Sequence, residues 1–281
     1  MKKVLICTDG SAYSEESYRY TAWICRSHPD VHIDVLYVTD LRQFEVPLIA
    51  DISGSLGAQP YQNLIAQLQD LERKKSDYIE EKAKEILKES GFKGQINYEH
   101  ATGLLVDRLQ VDADSYCLII VGKRGAHCDR AMAHLGSTME RVVRMSPAPC
   151  LVTSRAYKEP KHIVFAYDGG SSCNKALKYM LNHPVGDLSV DIITVAPQTI
   201  SDDLETSLAE ATNSMTEAGY KATKHILQGN VETAISDYVD NSGADFLIMG
   251  AYGHSRIREF ILGSTTTSLL RLCKVPVLCA R

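Results

Sequence analysis

The sequence predicts an α/β fold of two tandem halves, each a doubly wound, five-stranded parallel sheet. The first observation behind this prediction is an internal repeat, because both halves show the same succession of apolar strands and helical segments. The second is the alternation of strands with helices, which is typical of a parallel sheet covered on both faces. The 281 residues suffice for two ordinary domains, which we place at 1–154 and 161–281 with a short polar linker between them.

Each half begins with a short apolar strand that ends in Asp-Gly, at 3–10 in the first half and at 162–169 in the second. A helical segment follows each strand, and serine hydroxyls are favoured N-caps. We therefore predict that these helices are capped by serines: Ser11 or Ser14 in the first half, Ser171 or Ser172 in the second. A second apolar strand follows at 34–38 and at 191–195.

The two halves differ after the second strand. Residues 41–60 have no counterpart and contain prolines and glycines among apolar residues, which predicts a loop or flap near the mouth of the first half's crevice. A roughly helical apolar stripe then predicts a long helix at 61–90. The second half has a shorter equivalent at 204–218.

The remaining elements occur in the same order in both halves: strand, short helix, strand, glycine loop, helix and a last strand after proline. In the first half they are predicted at 95–100, 104–111, 117–121, 137–145 and 149–153. In the second half they are predicted at 222–227, 231–239, 245–249, 264–273 and 276–280. The glycine loop lies between the fourth strand and the last helix.

The glycine loop of the second half has a pattern typical of phosphate binding. Gly250 and Gly253 come first, and nine residues then separate Gly253 from Gly263 at the start of a helix. Glycine lets the backbone approach a ligand closely, and the free N–H groups of a helix start favour an anion. Three neighbouring side chains add candidate ligand contacts: His254, Ser264 and Thr265. Ser264 and Thr265 are also open to a simpler interpretation as helix caps.

Asp168 ends the first strand of the second half, and Asp9 is its counterpart in the first half. Doubly wound sheets bind ligands at the carboxyl ends of strands, where the strand order reverses. If the first and fourth strands are neighbours, Asp168 and the glycine loop therefore meet in one crevice. An N-capping role for Asp168 is compatible with ligand binding and stays open.

The first half carries an altered copy of the loop. Its candidate binding residues are Gly122, Gly125, Gly136 and Ser137, and ten residues instead of nine separate the second glycine from the third. Lys123 and Arg124 lie between the first two glycines. The cations and the helix start still favour an anion, but the longer spacer shifts the loop. Whether this half binds a nucleotide stays open.

These motifs resemble the universal stress protein family. Its nucleotide-binding members carry G-x2-G-x9-G-S/T after strand four and an Asp at the end of strand one, and the second half matches both. The resemblance covers nearly the whole chain. It implies an adenine nucleotide alpha hydrolase-like fold in each half, with strand order 3-2-1-4-5. It also implies that the last strands of the halves pair antiparallel, as an intramolecular pseudo-dimer; a further homodimer is left open.

The resemblance implies a cytoplasmic stress-response protein that binds ATP, ADP or AMP with Mg²⁺, chiefly in the second half, as a sensor or regulator. In the family, the strand-one Asp and nearby backbone hold the base or ribose, and the glycine loop wraps the phosphates. Protein partners are compatible with such a role. Two other functions stay open: a slow ATPase or adenylate-handling enzyme, and a scaffold or a module that binds a small ligand other than a nucleotide.

Several other functions lack support in the sequence. No Ser/His/Asp order or paired carboxylate can be assigned to chemistry, so we predict no catalytic residue. A group of metal-ligand residue types has a spacing that matches no standard zinc site, so we predict no metal centre: His127, Cys128, Asp129 and His134. The net charge of −5, without a basic block, argues against a nucleic-acid partner. No apolar run approaches the ~20 residues of a membrane span.

Overall fold

The computed structural model describes residues 3–40, 59–112, 115–123, 137–196, 200–251 and 263–281. The strands of the first half are β1 Lys3–Thr8, β2 His32–Thr39, β3 Gln95–Thr102, β4 Leu118–Gly122 and β5 Cys150–Thr153. Those of the second half are β6 His162–Ala166, β7 Ser189–Ala196, β8 Lys221–Gln228, β9 Phe246–Gly250 and β10 Val277–Ala280.

The six described helices for which the sequence predicts bounds follow them to within three residues, and a helix follows each of β1 and β6 as predicted. In the first half they are α1 Ala12–Cys25, α2 Gln59–Glu89, α3 Leu105–Asp112 and α4 Ser137–Met145. In the second half they are α5 Ser171–Asn182, α6 Asp202–Glu217, α7 Val231–Ser242 and α8 Ser264–Leu272. Most of the predicted loop at 41–60 lies outside the described residues. Among the described helices, none combines the length and apolar character that a membrane crossing requires.

The strands form a single sheet in the order β3-β2-β1-β4-β5-β10-β9-β6-β7-β8. Each half therefore has the predicted order 3-2-1-4-5, and its neighbouring strands are parallel. The halves join where β5 and β10 pair antiparallel, with Leu151 opposite Leu278. This confirms the predicted pseudo-dimer, and it makes the two five-stranded sheets one continuous sheet of ten strands.

The burial of the strands explains their sequence patterns. The described residues of β4 are buried throughout, because helices cover both faces of the central sheet. The edge strands β3 and β8 instead alternate partly buried with exposed residues. One apolar cluster on each face contains residues of both halves, so the core is continuous across the β5–β10 junction.

The starts of α1 and α5 differ in how they are capped. The hydroxyl of Ser11 accepts a hydrogen bond from the Ser14 N–H (3.4 Å), as predicted. The predicted serine cap of α5 is wrong. The N-cap is Gly170, which has no side chain to accept a hydrogen bond. The chain already turns at Gly169 and Gly170, so Ser171 lies inside the helix as its first residue.

Candidate functional site

The candidate site of the second half lies where β6 and β9 run side by side at the reversal of strand order. Ala166 of β6 pairs with Met249 of β9. Asp168, two residues after Ala166, and Gly250, one residue after Met249, therefore lie at the same edge of the sheet. This is the topological position at which doubly wound sheets bind ligands.

The Asp-Gly turn fixes the carboxylate at this edge. Oδ1 of Asp168 accepts a hydrogen bond from the Gly170 N–H (2.8 Å), and Gly169 adopts the left-handed conformation with φ 73°. Asp168 is exposed and is not the N-cap of α5. The same turn occurs in the first half, where Oδ1 of Asp9 accepts from the Ser11 N–H (2.9 Å).

Gly250 is required by packing. A Cβ atom at this position would lie 2.9 Å from both the N and the Sγ of Cys173, and 3.0 Å from Cβ of Ser172. The first turn of α5 therefore rests directly on the end of β9. A tight turn without a ligand accounts for this glycine, so Gly250 on its own does not indicate a binding site.

Cys173 lies beneath the junction of Asp168 and Gly250. Its Sγ donates to the carbonyl oxygen of Ala166 (3.4 Å). Burial above all, and then the neighbouring Asp168 carboxylate, raise the pKa of this thiol to about 12. Cys173 therefore stays a neutral thiol near neutral pH, and it acts as a small buried side chain. Sequence patterns did not single it out.

Gly263 behaves differently from Gly250. Its φ of −57° suits any residue, and the nearest atom to an added Cβ would be Oγ1 of Thr266 at 3.8 Å. No packing contact or backbone strain among the described residues explains why this position is glycine. Gly263 is also the N-cap of α8, and it has no side chain that could accept hydrogen bonds from the first N–H groups of the helix.

The hydroxyl groups beside Gly263 are accessible. Ser264 is exposed and Thr265 is partly exposed. Neither acts as the N-cap of α8, because that position belongs to Gly263. No side chain of the N-cap residue binds the backbone N–H groups at the start of α8, because that residue is Gly263. These N–H groups and the two hydroxyls make the helix start a suitable environment for an anion.

The structure locates only some of the predicted residues of the first half. Gly122 is the last residue of β4, and Ser137 begins α4. Gly253 and His254 of the second half lie outside the described residues, and so do Gly125 and Gly136 of the first half. The same holds for Arg124 and for the group of metal-ligand residue types in that loop.

Lys123 makes a contact that the sequence did not predict. Its Nζ donates to the carbonyl oxygens of Cys273 (2.6 Å) and Arg271 (3.4 Å). Both carbonyls belong to the C-terminal end of α8, in the other half. A cation expected to serve an anion site in the first half thus also binds the negative end of a helix from the second half.

A polar cluster lies at the carboxyl end of β2 in the first half. Oε2 of Glu72, from α2, accepts hydrogen bonds from Tyr37 Oη (2.6 Å) and Thr39 Oγ1 (2.9 Å). Oγ1 of Thr39 also lies 2.8 Å from Nε2 of His100. Burial is the largest influence on Glu72 and acts to raise its pKa, but the two hydroxyl donors and nearby cations bring the net pKa below its usual value. An ionised carboxylate therefore stands beside the first half's crevice.

Comparison with known proteins agrees with this architecture. The sequence model of the universal stress protein family matches the chain twice, at 1–154 and at 159–281. The chain belongs to the universal stress protein family. It is 38% identical to the universal stress protein Slr1230 of Synechocystis sp. over 289 aligned positions, which cover 100% of both proteins.

Solved structures of universal stress proteins share the fold. One from Archaeoglobus fulgidus superposes with a TM-score of 0.66 at 20% identity, and the match covers 99% of this chain and 96% of that one. That structure therefore shares the fold over nearly the whole of this chain, including both halves. At this level of identity the likeness establishes the fold alone.

Proposed function

We propose that this universal stress protein binds an adenine nucleotide in the crevice of its C-terminal half and acts as a sensor or regulator. In this proposal Asp168 contacts the base or ribose. The helix start at Gly263, Ser264 and Thr265 binds the phosphates, and the loop residues Gly253 and His254 complete the site. The cytoplasmic, stress-responsive role in the proposal rests on the family.

The observation that carries the proposal is the unexplained glycine at 263. Gly250 is glycine because α5 packs against it, whereas nothing among the described residues crowds Gly263. A phosphate lying on the first turn of α8 supplies the missing reason, since a side chain there would occupy the ligand's place. Hydroxyls and backbone N–H groups at this helix start suit a phosphate group, whose oxygens accept hydrogen bonds.

We propose ATP with Mg²⁺ as the nucleotide, with ADP and AMP as alternatives. Mg²⁺ usually retains several water ligands and binds through substrate phosphates with only one or two carboxylates. In this proposal Mg²⁺ is therefore held mainly by the phosphates of the nucleotide. In a sensor of this kind, the nucleotide stabilises the conformation that binds it more tightly.

Titration calorimetry with ATP and Mg²⁺ tests the proposed site. We expect wild-type protein to bind and Gly263→Val to abolish binding in the C-terminal half, because the isopropyl group fills the space of the phosphate. Asn230→Ala is a control: it removes the side-chain cap at the start of α7, which follows the edge strand β8. It lowers stability by about 1 kcal/mol and leaves affinity unchanged. Unchanged affinity in Gly263→Val would show that the phosphates bind elsewhere.

Binding without efficient hydrolysis is part of the proposal. Backbone N–H groups and hydroxyls hold phosphates, but rapid hydrolysis also needs a group that positions the attacking water. We therefore expect phosphate release from ATP to stay near the rate of a protein-free control. Release that is well above this control and disappears in Asp168→Ala would instead favour a slow ATPase.

A further inference from the structure

Helix α8 extends from one candidate crevice to the boundary with the other half. Its N-terminal end, at Gly263, forms the proposed phosphate site of the second half. Its nine residues span about 13 Å. At its C-terminal end, the carbonyl groups of the last turn have no partner within the helix and carry its negative dipole.

Lys123 binds that C-terminal end from the first half. It directly follows Gly122, the first glycine of the altered loop, and its ammonium group lies 2.6 Å from the carbonyl oxygen of Cys273. A second contact, to the carbonyl oxygen of Arg271, measures 3.4 Å. Lys123 is only partly exposed, so solvent screens this interaction less than it screens a fully exposed pair.

A second residue of the first half contacts the same helix end. Oε1 of Glu140, in the first turn of α4, lies 3.6 Å from Nη2 of Arg271 in the last turn of α8. The arrangement is reciprocal, because Nη1 of Arg281 donates to the carbonyl oxygen of Arg144 at the end of α4 (3.1 Å). The helix after each glycine loop is thus held at its C-terminal end by a cation from the opposite half.

We propose that Lys123 is a positioning residue for the nucleotide site of the C-terminal half, supplied by the N-terminal half. This inference rests on the proposed function. An anion site made of backbone N–H groups depends on the placement of its helix, and a binding group has to be held within about 0.5 Å. Lys123 restrains the far end of α8 and so fixes the direction in which the N–H groups at Gly263 point.

The test compares Lys123→Met with Lys274→Met in the full-length protein. Methionine keeps an unbranched apolar side chain but removes the charge. Lys274 also lies just beyond α8, but its ammonium group pairs with Asp240 (3.1 Å). Titration with Mg²⁺ and ATP should show about two- to five-fold weaker binding in Lys123→Met, and wild-type affinity in Lys274→Met. Lys123→Arg should restore most of the affinity, because arginine can also donate to both carbonyls.

Amide hydrogen exchange separates positioning from general destabilisation. All titrations are made well below the unfolding temperature of each variant. In Lys123→Met we expect faster exchange in α8 and unchanged exchange in β6 and β9. Uniformly faster exchange throughout the second half would overturn the inference, since Lys123 would then act only on stability.

The affinities give the remaining outcomes. If wild type binds and Lys123→Met binds equally well, the inference is wrong and the proposed nucleotide site stands. An equal loss of ATP affinity in Lys274→Met would also overturn the inference, because the loss would then follow from removal of any positive charge near the end of α8. Failure of wild type to bind any adenine nucleotide would overturn both the inference and the proposed function.

Discussion

At the scale of single residues, two glycines of one motif are glycine for different reasons. A Cβ atom added at Gly250 would lie 2.9 Å from the backbone N of Cys173. At Gly263 the nearest atom among the described residues would be Oγ1 of Thr266, at 3.8 Å. The sequence pattern counts both as ligand residues, because spacing along the chain carries no information about which helix packs on which strand. The distinction depends on contacts between residues far apart in sequence.

Alanine substitutions should separate these two roles. Gly250→Ala forces the new methyl group into Cys173 and should lower the free energy of unfolding by about 1–3 kcal/mol. Gly263→Ala meets no close contact with a described residue and should cost less than about 1 kcal/mol. Urea denaturation of both variants measures the difference. Equal losses would mean that the close contact at Gly250 is relieved by a small shift of α5.

The burial of His183 should make the stability of the protein depend on pH. His183 packs edge-on against His28 (ring centroids 5.4 Å), and Nδ1 of His183 has no hydrogen-bond partner within the described structure. Burial above all lowers the pKa of His183 to about 4. An unfolded histidine has a pKa near 6.5, so between about pH 6.5 and 4 the unfolded state binds a proton that the folded state does not. Stability should therefore fall as the pH decreases through this window.

Chemical denaturation at pH 7 and at pH 4.5 measures this dependence. His183→Gln, which cannot take up the proton, should show a smaller loss of stability between the two pH values than wild type. Groups that titrate alike in wild type and in His183→Gln contribute equally to both losses, so the difference between the losses reports on His183. If His183→Gln lost as much stability as wild type between pH 7 and pH 4.5, His183 would have the same pKa in the folded and unfolded states.

At the level of helices and strands, apolar periodicity predicted nearly all the described elements. Packing in a helix-covered sheet determines directly which positions of each element are apolar. The cap of α5 was predicted wrongly, since serines at 171 and 172 suggest a cap while the preceding Asp-Gly turn sets the start of the helix. The contact of Glu72 with Tyr37 was not predicted. It joins residues 35 positions apart, and no local pattern reports such a pairing.

Glu72 should hold α2 against the end of β2. Tyr37 and Thr39 are 3% and 5% exposed, so removal of their shared acceptor leaves buried hydroxyls with weaker hydrogen bonding. Glu72→Ala should cost about 1–3 kcal/mol of stability, and Glu72→Gln less, because the amide oxygen still accepts. Urea unfolding measures both. Wild-type stability in Glu72→Ala would contradict a structural role for this cluster.

At the scale of the whole molecule, the repeat predicted the fold and the pairing of the last strands followed from the family resemblance. The contacts across the junction could not be predicted, because Lys123 and the end of α8 lie about 150 positions apart in the sequence. These contacts and the shared apolar clusters make one continuous core from the two repeats.

The continuous sheet should make the halves unfold together. Differential scanning calorimetry should give one transition whose calorimetric and van't Hoff enthalpies agree. Two separated transitions would show that the β5–β10 junction contributes little to stability. In that case the link through α8 would join two independently stable halves.

Photolabelling with an azido analogue of ATP in the presence of Mg²⁺, followed by peptide mapping, would locate the nucleotide site most directly. We expect label in the C-terminal half, in peptides from 162–172 or 250–272, and we expect excess ATP to prevent the labelling. Label confined to the N-terminal half, or label that ATP does not displace, would contradict a nucleotide site at Asp168 and Gly263.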